Sequence, residues 1–308
     1  MHTRSPRAAY ERPETMRRRE RRERMNQDWH EENYRDLMCV GLRVQRWLYR
    51  GQSEFQRIDI FDSEIFGRVL SLDGVLNTSE ADEAFYHEQL VHPAMVSAKH
   101  AKRVLVIGGG DGGSVREVLR HSSVESLVMV EIDGEVIDAC KLHLRSIGSA
   151  WDDARLQLVI GDGAAYVARD DLDPFDVILL DGTDPEGPGE VLYSAEFYAN
   201  CRARLAEGGV FALQSASPFI QRDVFFRIQQ RLRAAFSTVH PYFGPAPLYC
   251  SGVWSWTHAS EGQDPLEVNL ARLAAIEADC FYYNRQIHRA AFVQPNFVRK
   301  GLAALPTG

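Results

Sequence analysis

The chain has 308 residues, of which 45% are hydrophobic and 25% are charged, proportions that exclude a fibrous, mucin-like or wholly disordered protein. The net charge is −8, and because the first 24 residues hold nine Arg against four Glu, the rest of the chain carries −13. An acidic body repels nucleic acid and attracts cations, so we expect a cationic ligand and no nucleic acid for this part of the chain.

The sequence shows no run of 18 apolar residues and no short apolar stretch of the secretory type near its start. These patterns mark membrane helices and signal peptides, so we expect no membrane association and a cytoplasmic location. Five cysteines, at positions 39, 140, 201, 250 and 280, never form a CxxC pair. Their spacing argues against a disulfide framework and a zinc cage, and predicts reduced thiols and no metal site.

The Arg-rich segment 1–28 comes first along the chain. Blocks of like charge are usually solvated, which predicts a disordered tail. Contact of this tail with RNA or an anionic lipid is left open.

Residues 29–87 alternate between apolar and polar side chains, as in 55–61 and 67–72, and the second patch is followed by Asp73-Gly74. This pattern predicts a small domain of antiparallel strands and hairpins. From Glu80 to His92 the apolar spacing becomes helical, so Tyr86 and His87 are expected on a helix.

Residues 88–308 show the alternation of strand and helix patterns that is typical of a parallel α/β sheet. The apolar run 104–107 predicts a strand buried on both faces, Gly108–Gly113 a turn, and 114–121 a helix. Further strands are predicted at 126–130, 156–160, 175–180 and 210–214, with a helix at 194–205. Alternating strands and helices of these lengths predict a doubly wound, Rossmann-like sheet, whose ligand binds beyond the carboxyl ends of the strands.

Four acidic side chains follow four successive predicted strands, and they are Asp111, Glu131, Asp162 and Asp181. Glu131 lies 20 residues beyond Asp111, about the spacing at which an acid accepts hydrogen bonds from ribose hydroxyls. An acid inside the turn GGGDGG would repel a pyrophosphate, which argues against NAD. A positively charged adenosyl group fits better, so we expect S-adenosylmethionine or a relative, with Asp162 near the adenine amino group.

Several segments carry a family resemblance, in the family's order. The chain resembles the spermidine synthases, the polyamine aminopropyltransferases, from about Trp29 to Pro295. The resemblance implies a class I methyltransferase-type sheet behind a small β domain. The matching segments are 67–75, 82–88, the GGGDGG turn with 116–118, 130–133, 161–163, 181–190, 282–284 and 288–292.

The resemblance implies transfer of the aminopropyl group of decarboxylated S-adenosylmethionine, a co-substrate, to a diamine, normally putrescine. We expect no cofactor. We expect the protein to form a homodimer or a homotetramer. Asp181 matches the catalytic acid. The donor would be held by Gln56, Asp111, Glu131, Asp162, Gly163 and Pro188, and the polyamine by Tyr86, His87, Asp111, Asp181, Asp184 and Tyr249.

The chemistry of amines supports these roles independently. An alkylamine with a pKa of ~10.4 is neutral about once in a few thousand molecules at pH 7, so presenting its lone pair costs ~4–5 kcal/mol. Asp181 can accept the proton, and each remaining ammonium near a carboxylate gains up to ~4 kcal/mol before desolvation.

The chain departs from the family pattern at Asn77, at Ala81 and in the segment 246–249, where Gln, Arg and IPTY are usual. These departures are expected to alter the pocket lining, so spermidine, agmatine or cadaverine stays an alternative acceptor. A diamine N-methyltransferase using S-adenosylmethionine is a second alternative, although Asp111 would repel the methionine carboxylate. A catalytically idle polyamine-binding protein is a third, and the presence of Asp111, Asp181, Asp184 and Tyr249 together argues against it.

Overall fold

A computed structural model describes residues 28–185 and 187–306. The predicted tail, apart from residue 28, lies outside these described residues. The chain then forms a hairpin and a four-stranded antiparallel sheet in the order β3-β4-β5-β6. The strands are β1 (Trp29–Tyr34) and β2 (Met38–Arg43) in the hairpin, and β3 (Arg46–Gln52), β4 (Arg57–Ser63), β5 (Gly67–Leu72) and β6 (Val75–Ser79) in the sheet. The predicted antiparallel domain is confirmed.

Asp73 and Gly74 connect β5 to β6, with φ of 50° and 88°. Positive φ at both central residues gives the turn whose twist matches that of a hairpin, as the sequence predicts. Both faces of the small sheet are covered by later parts of the chain. One face packs against residues 136–147, and the other packs against Leu248.

A long buried helix, α1 (Glu83–Ser97), connects the small sheet to the rest of the molecule. It was expected at residues 80–92, but Asp82 occupies the N-cap position and the last turns continue through Pro93. Proline removes the backbone donor that would bond to the carbonyl of Gln89, and here the hydroxyl of Tyr242 donates to that carbonyl instead (2.9 Å). The expected division of the chain after residue 87 falls inside this helix and stays a prediction.

The large sheet has the order β12-β13-β11-β10-β7-β8-β9, in which β7 to β11 run parallel and β13 is antiparallel to its neighbours. This confirms the predicted doubly wound sheet. Its strands are β7 (Arg103–Gly108), β8 (Ser126–Glu131), β9 (Leu156–Ile160), β10 (Phe175–Asp181), β11 (Leu205–Gln214), β12 (Thr238–Pro245) and β13 (Val253–Ser260). The helices are α2 (Gly113–Leu119), α3 (Gly134–His143), α4 (Gly163–Ala168), α5 (Ala195–Ala203), α6 (Arg222–Ala235), α7 (Leu270–Glu277), α8 (Arg285–Ala291) and α9 (Asn296–Ala303).

Strand β7 shows why its run is apolar throughout. Leu105 and Ile107 belong to the core on one face of the sheet, while Val104 and Val106 belong to the core on the other. One correction concerns the start of strand β11. Leu205, expected at the end of a helix, begins β11, because the helix ends at Ala203.

The strand order reverses between β7 and β10, so a cleft opens at their carboxyl ends. Gly108 ends β7 with φ of 81°, and a Cβ there would overlap the backbone carbonyl of Asp181. Only glycine fits this close approach, which brings the glycine turn and the end of β10 together. Among the described residues, no helix is long and apolar enough to cross a bilayer.

Candidate active site

A cavity of about 600 Å³ lies at the carboxyl ends of the parallel strands. Its described lining holds seven acidic residues against two basic ones, Arg35 and His87. The lining includes these predicted residues: Gln56, Tyr86, His87, Asp111, Glu131, Asp162, Gly163, Asp181, Asp184 and Tyr249. Pro188 belongs to a short 3₁₀ helix, Gly187–Tyr193, and its side chain lies outside the described part of the structure. The fold thus brings residues from distant parts of the sequence into one acidic cavity.

Glu131 ends β8 and is 9% exposed. Its Oε1 accepts a hydrogen bond from the backbone N–H of Asp133 (2.9 Å). Burial raises the pKa of Glu131 to about 7, and the charges of Asp133 and Asp181 add to this effect. A carboxylate at this position can accept hydrogen bonds from two vicinal hydroxyls.

Asp162 follows β9 and caps the helix α4. Its Oδ1 accepts hydrogen bonds from the backbone N–H groups of Ala164 (2.7 Å) and Ala165 (3.2 Å). Next to it, Gly163 packs against Ile107, and a Cβ would overlap that side chain. The cap leaves Oδ2 without a hydrogen-bond donor among those between described residues, and a nucleobase amino group is a suitable donor for it.

Gln56 takes part in a hydrogen-bond network that sequence reasoning missed. Its side-chain Nε2 donates to Asp133 Oδ2 (3.0 Å), and the Ser53 hydroxyl donates to the same oxygen (2.7 Å). Asp133 also caps the helix α3. The network fixes the small sheet to the loop that follows Glu131.

Asp181 ends β10 and lines the cavity. Its Oδ2 accepts a hydrogen bond from the Ser114 hydroxyl (2.6 Å), and Tyr86 bonds to it from α1. Burial raises the pKa of Asp181; the neighbouring His87 opposes this and Asp111 adds to it. A carboxylate whose pKa is raised is a better proton acceptor when it is ionised.

Asp111 lies in the glycine turn, where its Oδ1 accepts from the Gly113 N–H (2.8 Å). Its Oδ2 lies 3.3 Å from His87 Nε2. Burial would raise the pKa of Asp111, but His87 outweighs it and the pKa lies below its usual value. The imidazole of His87 is buried, and its Nδ1–H donates to Glu83 Oε2 (2.7 Å).

One group of three side chains, His87, Asp111 and Asp181, brings one candidate ligand atom from each to within 4.8 Å of the others. Both ring nitrogens of His87 face carboxylates, Glu83 on one side and Asp111 on the other. A ring that donates at both nitrogens has no lone pair for a metal. The two aspartates suit an alkylammonium, which donates to several oxygens at once.

Aromatic side chains wall the cavity on the other side of Asp181. The rings of Tyr86 and Tyr249 lie 6.0 Å apart, and Trp254 packs on Tyr249 at 4.7 Å. The Tyr249 hydroxyl donates to the backbone carbonyl of Asn77 (2.9 Å). Trp254 lines the cavity, whereas Trp256 is fully buried behind Tyr86. These rings form an apolar wall of the kind that suits the methylene chain of a diamine.

Asp184 lies after β10 and accepts a hydrogen bond from the side-chain amide of Gln221. Of the sequence departures, Asn77 lies in the described cavity lining and Ala81 does not, so the expectation that both alter the lining is wrong for Ala81. The Ala81 backbone N–H instead donates to the carbonyl of Phe66.

Sequence reasoning missed Glu32, which lines the cavity from β1. It is buried, accepts from the Leu76 N–H (2.9 Å), and bonds to the side chain of Cys250. Burial raises the pKa of Glu32. The only signal in the sequence was the alternation of β1, whose inward residues, His30 and Glu32, are polar.

Comparisons with known proteins agree with this geometry. The model of the spermine/spermidine synthase domain matches residues 83–269, and that of the spermidine synthase tetramerisation domain matches residues 28–80. Polyamine aminopropyltransferases are similar over most of the chain. That of Thermotoga petrophila is 43% identical over 86% of this chain and 91% of its own, and that of a Ruegeria species is 42% identical over 88% and 97%.

Solved structures are similar as well. A spermidine synthase in complex with the transition state analogue AdoDATO has a TM-score of 0.87 and 40% identity, covering 90% of this chain and 96% of that one. The spermidine synthase of Thermotoga maritima has a TM-score of 0.86 and 39% identity over 91% and 96%. The predicted class I methyltransferase-like fold is therefore confirmed, and the chain belongs to the spermine/spermidine synthase family.

Proposed function

We propose that this protein transfers the aminopropyl group of decarboxylated S-adenosylmethionine to putrescine, giving spermidine and methylthioadenosine. The observation that carries the proposal is the division of one cavity into two regions. Glu131 and Asp162 offer hydrogen-bond acceptors for a nucleoside, while Asp111, Asp181 and Asp184 offer carboxylates for amines beside an aromatic wall.

The donor enters as a sulfonium with one free ammonium. In the proposed complex Glu131 accepts from the ribose hydroxyls, Asp162 lies near the adenine amino group, and Asp111 pairs with the aminopropyl ammonium. An ammonium ~4 Å from a carboxylate gains up to ~4 kcal/mol at an effective dielectric constant of 20, before desolvation. Asp111 thereby directs the propyl chain towards Asp181.

The acceptor amine attacks the propyl carbon that is bonded to sulfur. A nitrogen–carbon bond forms, the carbon–sulfur bond breaks, and its electron pair stays on the neutral thioether. Asp181 accepts the proton that the attacking ammonium must lose, which offsets the ~4–5 kcal/mol cost of presenting a neutral amine at pH 7. Tyr86 and Ser114 hold the carboxylate in place.

The same acids argue against methyl transfer from S-adenosylmethionine. That donor carries a carboxylate where decarboxylated S-adenosylmethionine carries only hydrogen, and Asp111 would repel it. The proposed reaction uses no cofactor and no metal, because the sulfonium itself supplies the leaving group.

We also propose a homodimer or homotetramer. The tetramerisation-domain match over residues 28–80 supports an oligomer, and it covers the hairpin and the small sheet. Light scattering of the purified protein tests the oligomeric state.

The function is tested by incubating the protein with decarboxylated S-adenosylmethionine and one amine at a time, and separating the products by mass. We expect catalytic efficiency to fall in the order putrescine, cadaverine, diaminopropane, because a three-carbon diamine forfeits a charged hydrogen bond worth ~1–3 kcal/mol at its far end. Spermidine and agmatine complete the panel, and preference for either would overturn the assignment of putrescine. Turnover with S-adenosylmethionine and none with decarboxylated S-adenosylmethionine would overturn the assignment of the donor.

A further inference from the structure

Charged side chains of alternating sign lie behind the cavity residues Asp111 and Asp181. Glu83 Oε2 accepts hydrogen bonds from both His87 Nδ1 (2.7 Å) and Arg116 Nη2 (2.8 Å). Arg116 also donates from Nε to Glu117 (2.8 Å) and from Nη1 to the carbonyl of Ile147 (2.9 Å). Glu83 is thus held in place by a cation that is itself fixed on α2.

His87 has almost no freedom in this arrangement. Its side chain is 2% exposed, and its ring packs on the backbone of Gly113, where a Cβ would overlap it. Nδ1 faces Glu83 and Nε2 faces Asp111, so each nitrogen has a carboxylate partner. A neutral imidazole can donate at one nitrogen only, and the other would present its lone pair to a carboxylate.

Asp111 and Asp181 are two largely buried carboxylates that repel each other when both are ionised. Their oxygens approach within 4.8 Å in a buried cavity. Repulsion between two largely buried carboxylates at such a distance favours protonation of one of them unless a cation lies beside them. The proposed reaction needs both ionised, Asp111 to bind an ammonium and Asp181 to accept a proton.

We propose that Glu83, anchored by Arg116, holds His87 as an imidazolium, and that this buried cation keeps Asp111 and Asp181 both ionised before the amines enter. His87 then acts as a positioning residue, and its ring contacts carboxylates in place of the polyamine. Glu83 is a second positioning residue, acting through His87. The protonation state of His87 is inferred from its contacts alone, whereas the role of this cation in catalysis rests on the proposed function.

Among the described residues, six charged or titratable groups face His87. They are Asp82, Glu83 and Tyr86 on or next to its own helix, Asp111 on the glycine turn, Arg116 on α2 and Asp181 on β10. Burial would lower the pKa of His87, but Asp111 and Glu83 raise it well above its usual value. The acids outnumber the single guanidinium, which is itself paired with Glu83 and Glu117.

The protonation of His87 is measured directly by nitrogen NMR of the ligand-free protein labelled with ¹⁵N-histidine, with the His87 signal assigned by its loss in His87→Gln. We expect two protonated ring nitrogens from pH 6 to 8. A neutral ring at pH 7 would overturn the inference. Because this measurement needs no turnover, it stays separate from the test of the proposed function.

The second measurement is the pH dependence of kcat/KM in Glu83→Gln. Without the Glu83 charge His87 is less readily protonated and Asp181 is protonated at higher pH, so the acid limb should move upward by about one pH unit, a roughly tenfold loss on the acid side that is recovered at high pH. Glu80→Gln is the matched control, because Glu80 precedes the same helix and bonds to Ser146 and Arg68. A uniform loss at every pH in Glu83→Gln, or the same shift in Glu80→Gln, would contradict the inference.

Discussion

The carboxylates at the ends of the parallel strands each accept a hydrogen bond from a neutral donor. Glu131, Asp162 and Asp111 accept from backbone N–H groups, and Asp181 accepts from the hydroxyl of Ser114. Among the ion pairs between described residues, none joins Lys or Arg to these four. Neutral donors therefore fix these carboxylates in position, and the cationic side chain that lies beside them in these ion pairs is His87, next to Asp111.

Replacing Asp181 with Asn should lower turnover by roughly 10²–10⁴, the usual contribution of a positioned base, because an amide cannot accept the amine proton. Binding of methylthioadenosine should change little, since Asp181 lies on the amine side of the cavity. Single-turnover kinetics and calorimetry measure the two effects. Near wild-type turnover at neutral pH would rule out Asp181 as the proton acceptor.

Replacing Glu131 with Gln should weaken methylthioadenosine binding by about 1–3 kcal/mol at pH 8, because charged hydrogen bonds to the ribose become neutral ones. The wild-type affinity should also fall as the pH drops below 7. The pKa of Glu131 is raised to about 7, so protonation at lower pH removes the favoured carboxylate. Calorimetry from pH 6 to 9 checks this, and a variant that keeps the wild-type pH dependence would contradict it.

At the scale of elements, the first turn of α2 is shaped by what lies against it. The Gly113 backbone contacts the His87 ring, so Gly113→Ala should push the two helices apart and cost about 1–3 kcal/mol of stability, with a loss of kcat/KM. Gly134→Ala is a matched control. Gly134 also begins a helix, and its Cβ would meet Ile160 at an ordinary 3.7 Å.

Thermal unfolding and kinetics of both variants give the comparison. Equal effects of the two substitutions would mean that the glycine is required by the helix start and not by His87.

The predictability of each element followed from how its side chains are buried. β7 is apolar on both faces, and its continuous run reveals it. β13 is almost wholly buried as well, but it carries Ser255, Thr257, His258 and Ser260, which hides it from a search for apolar runs. The hydroxyls of Ser255 and Thr257 both bond to the hydroxyl of Ser215, which follows β11, and Thr257 also accepts from the side-chain amide of Gln229 on α6. No local pattern in the sequence records this tertiary arrangement.

The residues of the site also divide into those that the sequence predicts and those that it does not. Acids that follow parallel strands were predictable, because the carboxyl ends of such strands converge. Gln56 and His87 were predicted through the family resemblance alone. Glu83 and Arg116 act behind the cavity, and their roles follow only from the packing of α1 on α2.

At the scale of the whole molecule, the basic segment 1–24 is set against an acidic body. An Arg-rich run without apolar periodicity has little to bury, so its deletion should leave the melting temperature and the turnover unchanged. Differential scanning calorimetry and the amine assay compare the two proteins. A large loss of either would show that the segment belongs to the folded structure.

The small sheet, whose two faces are covered by residues 136–147 and Leu248, has a consequence for synthesis on the ribosome. Residues 28–80 emerge long before the side chains that cover them, so their apolar faces stay open to water during most of translation. A sheet without its packing partners is unstable, so we expect an isolated 28–80 fragment to lack β structure by circular dichroism. The small sheet of the nascent chain therefore gains its full packing only after the segment around Leu248 has been synthesised.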